Sequence, residues 1–178
     1  MPTSDRTESS SDGPVRIGIS SCLLGEKVRF DGGHKRDGFL TETLGPHVEW
    51  VPVCPEIEIG LGSPRESLRL VGDSDDVSLV APKSGTDLTS DMRRFARSWA
   101  KQVDRQDLCG FIFKKDSPSC GLHRVRVYGT KGMPRRDGRG IFAHEVTDAH
   151  PLLPVEEEGR LSDPALRASW SASSPTGD

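Results

Sequence analysis

The sequence lacks the features that would assign it to several large classes of protein. It contains no asparagine, which excludes N-glycosylation, and no run approaches the roughly 20 apolar residues of a transmembrane helix. Neither sign of charge dominates, since 24 basic and 27 acidic side chains give a formal net charge of −3. Broad electrostatic capture of a nucleic-acid backbone, which needs a strongly basic face, is therefore not expected.

The 178 residues suit one domain with a hydrophobic core. Residues 1–14 are polar and lack the basic start and apolar centre of a secretory signal. We predict a disordered tail over 1–14, a folded domain over 15–170 and a second disordered tail over 171–178. Such a chain is expected in the cytoplasm, where clustered cysteines more often bind metal or do chemistry than form disulfides.

Three apolar runs predict strands, and a cysteine follows the end of each. The runs are Val15–Ser20, His47–Val53 and Asp107–Lys114, and the cysteines are Cys22, Cys54 and Cys120. A fourth cysteine, Cys109, lies within the third run among apolar neighbours, and we interpret it as an inert core thiol.

Helical patterns alternate with these runs. Ser90–Arg105 carries apolar residues at three- and four-residue spacing, and Ser90 or Thr89 is predicted to cap it. Two further helices are predicted over Phe39–Leu44 and Asp163–Trp170, and a fourth strand is predicted over Val125–Tyr128. Lys131–Gly140 is rich in Gly and Arg, and is predicted to be a connection.

Together these elements predict an α/β fold. We expect a Rossmann-like, mostly parallel sheet flanked by helices, with the cysteines on loops at the carboxyl ends of the strands, where open α/β sheets place their sites. The first strand is followed by Ser20–Gly25 and not by GxGxxG or GxxxxGK(S/T), which argues against a nucleotide-binding Rossmann protein.

The cysteine side chains indicate metal chemistry. Thiolate is the soft donor preferred by zinc, copper(I) and iron–sulfur clusters. Cys22, Cys54 and Cys120 are 32 and 66 residues apart, which excludes a CxxC knuckle and requires the fold to gather them. The residues alone also allow three unrelated thiols. His34 and His123, the latter in a Cys-x-x-His spacing, compete as ligands, although a solvated histidine is the plainer interpretation of each.

Four motifs occur in order along the chain: SSCLLG…RFDG, PVCPE…GLGSPR, FKKDSPSCG and LPVEEEGRLSDPALR. Together they closely resemble the DUF523 family, which includes the thiouracil desulfidases. The resemblance extends from about Arg16 to Trp170. It departs at Ser21, where the family often has Ala, and at Phe30, where Tyr is usual. The helical partner domain of some relatives does not follow, so the single-domain desulfidases are the nearer comparison.

The resemblance implies a 4Fe–4S cluster held by Cys22, Cys54 and Cys120, with one iron left without a protein ligand. It also implies non-redox desulfuration of a small thiolated uracil to uracil and sulfide, with the substrate sulfur bound to the open iron. Glu56 matches the family's catalytic glutamate, a general acid–base. Ser117 matches a serine that orients substrate or water.

Each of these assignments has a plainer alternative. Glu56 could be a strand-end carboxylate, with Glu58 as the other candidate acid, and Ser117 could cap a turn. Other polar residues near the motifs are candidates for the pocket or for turns and surface ion pairs: Ser20, Ser21, Arg29, Asp31, Arg65 and Ser119. Glu156–Glu158 with Arg160 is predicted to be a solvated turn.

Two other functions fit the same residues. The substrate could be a thiolated base within tRNA, because Arg135, Arg136 and Arg139 supply local positive charge, but the net charge counts against it. A non-enzymatic zinc or redox-sensing module would use the same cysteines, but would leave Glu56 and Ser117 without a purpose. No membrane partner is expected, and the sequence indicates no particular oligomeric state.

Overall fold

Among the residues that the computed structural model describes, 15–73, 76–129, 133–161 and 163–164, nine strands form two sheets. The first sheet consists of four parallel strands, numbered in chain order: β1 (Val15–Ser20), β2 (Val48–Val53), β6 (Leu108–Phe113) and β9 (Val155–Glu157). Their spatial order is β2-β1-β6-β9. The three predicted strands are thereby confirmed, and their carboxyl ends meet at one edge of a parallel sheet.

The second sheet contains only one strand that the sequence predicts, Val125–Tyr128. Its strands are β3 (Arg69–Asp73), β4 (Asp76–Ala81), β5 (Thr86–Asp87), β7 (Val125–Tyr128) and β8 (Arg135–Gly138), in the order β5-β4-β3-β7-β8. All pairings are antiparallel except that of β3 with β7. The predicted connection over Lys131–Gly140 is therefore wrong at β8. This edge strand accommodates arginines because its side chains stay largely accessible to solvent.

Helices cover both faces of the parallel sheet. In the described residues they are α1 (Pro55–Glu58), α2 (Thr89–Arg105), α3 (Ile141–Ala149) and α4 (Glu158–Leu161), with a π-helical turn at Phe39–Leu44 and 3₁₀ turns at Ser21–Leu24 and Gly45–His47. The helices α2 and α3 pack together over one face, and the π-helical turn packs against the other. The predicted α/β architecture with flanking helices is confirmed.

The helix α2 confirms the predicted amphipathic helix but not its cap. Leu88 occupies the N-cap position, and no side chain there bonds to the helix. Thr89 and Ser90 are instead the first two residues of the helix, and the Thr89 hydroxyl accepts the N–H of Leu79 at 2.8 Å, which ties the helix to β4. Of the helix predicted over Asp163–Trp170, only the first two positions lie within the described residues. Within those residues, no helix has the length and apolar composition of a membrane span.

An aromatic cluster packs β6 against the helices. The rings of Phe111 and Phe113 stack with centroids 4.0 Å apart, and both contact Phe142 of α3. Trp99 of α2 meets Phe111 edge-on at 5.5 Å. Gly18 of β1 pairs with Phe111, whose ring lies 2.3 Å from where a Cβ of residue 18 would stand. Close packing therefore fixes the two central strands whose ends carry the candidate site.

Candidate functional site

The carboxyl ends of β1, β2 and β6 border a cavity of about 560 Å³. Cys22, Cys54 and Cys120 all line it, as expected for residues that follow neighbouring parallel strands. The other predicted candidates in its wall are Ser20, Ser21, Arg29, Glu56, Arg65, Ser117 and Ser119. The candidates outside its described wall are Asp31, His34, Glu58, Cys109 and His123.

Each of the three cysteines lies shortly after a strand. Cys22 is in the 3₁₀ turn that follows β1, Cys54 is the N-cap of α1 directly after β2, and Cys120 is in a turn beyond β6. Cys22 and Cys120 are buried, Cys54 is half-buried, and all three are free thiols. Three free thiols in the wall of one cavity offer the soft donors that a metal–sulfur centre requires.

Burial raises the pKa of all three thiols, that of Cys22 to about 11. The charge of Cys54 raises the pKa of both Cys22 and Cys120 further, so the three sulfurs lie within electrostatic reach of one another. Buried thiols of this kind stay protonated at neutral pH unless a metal binds them, because metal coordination deprotonates a thiol outright. The donor set therefore fits a metal centre better than a free nucleophile.

Two partners hold the carboxylate of Glu56 in the cavity. Its Oε2 accepts hydrogen bonds from Nε of Arg65 at 3.0 Å and from Nη2 of the same guanidinium, and its Oε1 accepts one from the Ser119 hydroxyl at 3.0 Å. Only 7% of the Arg65 side chain and 14% of the Glu56 side chain are exposed. Glu58 is exposed. Glu56, and not Glu58, is the carboxylate that the fold places in the cavity, and Arg65 pairs with it.

The hydroxyl of Ser117 organises the turn that carries Cys120. Its Oγ accepts the N–H of Ser119 at 3.2 Å and the N–H of Cys120 at 3.0 Å, which is the turn-capping arrangement. Among the described residues none accepts its hydroxyl hydrogen, and Ser117 also lines the cavity. The side chain therefore caps the turn and keeps one donor for a ligand.

Comparison with known proteins identifies the family. The family model described as 2-thiouracil desulfurase matches residues 17–158, the segment that carries the three cysteines and Glu56. The chain belongs to the 2-thiouracil desulfurase family. Among solved structures it is similar to the 4Fe–4S-dependent thiouracil desulfidase TudS, with a TM-score of 0.69 and 29% identity, covering 87% of this chain and 98% of that chain. It is also 29% identical over 145 residues to the uncharacterized protein YbbK of Bacillus subtilis (strain 168), covering 79% of this chain and 95% of YbbK.

In this 2-thiouracil desulfurase family member, Asp31 stabilises a turn beside the cavity. Its Oδ1 accepts the N–H of Gly33 at 2.8 Å, and its Oδ2 lies 3.4 Å from the Arg29 guanidinium. The bond from Gly33, assisted by Arg29, holds the pKa of Asp31 below its usual range. Of the two interpretations left open for Asp31, the turn is the one that the structure supports.

The two candidate histidines lie outside the cavity wall. His34 is exposed, and its Nδ1 accepts the N–H of Arg36 at 3.1 Å. His123 is also exposed, with Nε2 3.6 Å from the Glu156 carboxylate. Across the described part of the chain, no three His, Cys, Asp or Glu side chains converge as ligands of a single metal ion.

Cys109 is half-buried and not the core thiol that the sequence predicts. It stands near the amino end of β6, the end away from the cavity, where the strand emerges from the core. Its Sγ lies 3.6 Å from the carbonyl oxygen of Asp107. The side chain therefore packs against the edge of the core and takes no part in the candidate site.

A buried ion pair, which the sequence analysis does not identify, also lines the cavity. Nζ of Lys114 lies 3.4 Å from Oε2 of Glu158, and 15% and 9% of the two side chains are exposed. Glu157 is buried as well, accepts the N–H of Leu122 at 3.0 Å, and has its pKa raised by burial. The predicted solvated turn over Glu156–Glu158 is therefore wrong. Pairing of β9 with β6 directs these carboxylates inward, and a run of acidic residues gives no signal of that pairing.

The N-cap and the first residue of α3 support the turn that carries Cys120. The N–H of Gly140 donates to the Gly121 carbonyl at 2.8 Å, and the N–H of Ile141 donates to the Pro118 carbonyl at 3.1 Å. A Cβ on Gly140 would stand 2.3 Å from the carbonyl carbon of Ser119 and 2.7 Å from the nitrogen of Cys120. Only glycine allows this close approach of two backbones.

We expect Gly140→Ala to lower the free energy of unfolding by about 1–3 kcal/mol, because the added methyl must displace backbone atoms in a packed turn. Urea denaturation measures the change. Gly129→Ala is the matched control, since the nearest atom to a Cβ there is an Arg135 side-chain nitrogen at 3.8 Å. Equal destabilisation by the two substitutions would contradict the proposed support of the Cys120 turn.

Proposed function

We propose that the protein is a 4Fe–4S-dependent desulfidase that converts thiouracil to uracil and sulfide. The observation that carries the proposal is the gathering of Cys22, Cys54, Cys120 and Glu56 in the wall of one cavity. Membership of the 2-thiouracil desulfurase family and the similarity to TudS support it.

The residues present fit an iron–sulfur cluster, because three thiols without disulfide partners, two buried and one half-buried, line the same cavity. Cys22, Cys54 and Cys120 would hold it. A four-iron cluster with these three ligands would keep one iron free of protein ligands, and would supply Lewis-acid chemistry toward the substrate sulfur.

Glu56 is the proton-transfer residue in this proposal. Arg65 occupies Oε2, whereas Oε1 receives only the Ser119 hydroxyl, so Oε1 is the atom that takes the proton of the attacking water. The water oxygen bonds to the ring carbon, the carbon–sulfur bond then breaks, and the departing sulfur takes the proton held on Glu56 and the proton of the new hydroxyl group. The sum is hydrolysis of C=S to C=O with release of hydrogen sulfide, and it needs no oxidant or reductant.

Ser117 positions a reactant and the turn together. The N–H groups of Ser119 and Cys120 donate to its oxygen, and its hydroxyl hydrogen has no acceptor among the described residues. We propose that this hydrogen bonds to substrate or to the attacking water, while the two accepted bonds maintain the loop geometry around Cys120.

The test is an assay of the purified, anaerobically reconstituted protein. We expect about four irons with matching sulfide per chain, and release of uracil and sulfide from 2-thiouracil or 4-thiouracil. A fully loaded cluster without turnover would contradict the free-base substrate and favour thiolated tRNA, which is then assayed directly. Binding of zinc without iron would contradict the cluster and favour a structural or redox-sensing module.

A further inference from the structure

Lys114 places a positive charge in the cavity wall, and one of its ammonium hydrogens has no acceptor among the described residues. It directly follows β6, and its side chain is largely buried. Nζ donates to the carbonyl oxygen of Lys115 at 2.9 Å and lies 3.4 Å from Oε2 of Glu158. An ammonium group has three hydrogens to donate. The described residues account for two of them, so one is available to a ligand in the cavity.

The geometry around Lys114 is rigid. Oε1 of Glu158 accepts the N–H of Lys115 from the backbone, so the carboxylate that holds the ammonium is itself anchored. Lys114 lines the same cavity as Cys22, Cys54 and Cys120. The ammonium therefore belongs to the wall of the cavity in which the reaction is proposed to occur.

The other cations in the wall differ from Lys114. Arg65 donates to Glu56 and to the carbonyl oxygens of Val28 and Gly62, which uses most of its hydrogens. Arg29 pairs with Asp31. Lys35 and Lys115 are exposed to solvent. Among the described cations of the wall, Lys114 is thus the largely buried one that is not bound to the proposed proton-transfer residue and still has one hydrogen without a protein acceptor.

A buried ion pair of this kind contributes little to stability. Removing two charges from water costs about as much as their attraction returns, and apolar replacements of such pairs are often neutral or stabilising. The Lys114–Glu158 pair therefore calls for a functional explanation. An ammonium hydrogen in the cavity wall suits an exocyclic carbonyl oxygen, because hydrogen bonds from a charged donor are about twice as strong as neutral ones.

We propose that Lys114 is a substrate-binding residue that donates this hydrogen to the exocyclic oxygen that thiouracil retains and uracil shares. The assignment rests on the proposed function. It explains how the ring is oriented with its sulfur toward the cysteines, since one polar contact on the ring and one on the sulfur fix its position. Glu158 is then a positioning residue that holds the ammonium.

The test is binding of uracil, the sulfur-free product, to the anaerobic holoenzyme by titration calorimetry. Lys114→Met is expected to raise the dissociation constant for uracil about tenfold or more. Because that variant leaves the Glu158 carboxylate unpaired, Lys114→Met/Glu158→Gln is the second variant; it removes both charges and is expected to show the same loss. Lys101→Met, on the exposed side of α2, removes one positive charge away from the cavity and is the control.

Iron content is measured on every variant alongside binding. An unchanged uracil affinity in the double variant with full iron content would overturn the assignment. Unchanged affinity combined with faster loss of iron would also overturn it, and would assign the donor to the cluster. If wild type releases sulfide from thiouracil while the double variant binds uracil normally, the assignment of Lys114 as a substrate-binding residue fails and the proposed function stands. If wild type neither binds uracil nor releases sulfide, the proposed function fails as well.

Discussion

Replacing Glu56 with Gln is expected to lower the rate of uracil release from thiouracil by about 10²–10⁴-fold, the usual contribution of a general acid–base. The amide keeps the size of the side chain and can still accept a hydrogen bond from Ser119, but it cannot take the proton of the attacking water. The measurement is uracil and sulfide release by the reconstituted enzyme, with iron content determined on the same samples.

Two features of the site determine the conditions and the control of the Glu56→Gln assay. The substitution also leaves the buried guanidinium of Arg65 without its carboxylate, so the rate is compared at a temperature at which both proteins remain folded. Glu58→Gln is the matched control, because Glu58 lies in the same helix α1 but is exposed. Equal losses for the two variants, or a loss of iron with Glu56→Gln, would contradict a proton-transfer role for Glu56.

Replacing any one of Cys22, Cys54 or Cys120 with Ser is expected to prevent stable assembly of the cluster and abolish desulfuration. A serine hydroxyl has nearly the same size as the thiol, but it is a hard and barely acidic donor where the cluster requires thiolate. Iron and sulfide content after anaerobic reconstitution measures the effect directly, independently of turnover.

Cys109→Ser supplies the control for this series within the same chain. Cys109 is half-buried at the opposite end of β6 and does not line the cavity, so we expect wild-type iron content and activity. Retention of a full cluster in all three site variants would refute the assignment of the ligands. Loss of iron in Cys109→Ser would show that the effect of the substitutions is a general one on folding.

Local pattern was sufficient for the part of the fold that holds the cysteines. The runs that became β1, β2 and β6 are apolar enough to be recognised alone, and parallel strands necessarily end at one edge. The second sheet could not be predicted in the same way. Its strands are short, and β8 is paired on one side only, so arginines are tolerated where apolar residues would ordinarily signal a strand.

The site was predictable to a smaller extent from the residues themselves. Spacing and donor chemistry identify the three cysteines as candidate metal ligands, whereas Glu56 and Ser117 are identified only through the family resemblance. Neither the residue pattern nor the family resemblance predicts the ion pairs, because Lys114 meets Glu158 only after β9 pairs with β6. Likewise, Arg65 meets Glu56 only because the chain folds back past α1, and no local sequence pattern predicts that path.

The strand order has a consequence for the timing of cofactor acquisition. Cys22 and Cys54 belong to the early part of the chain, whereas Cys120 follows β6, which enters the sheet between β1 and β9. A nascent chain that ends before β6 offers only two of the three thiols. If Cys22, Cys54 and Cys120 hold the cluster as proposed, the complete ligand set forms only after β6 has entered the sheet, and cluster loading follows that step.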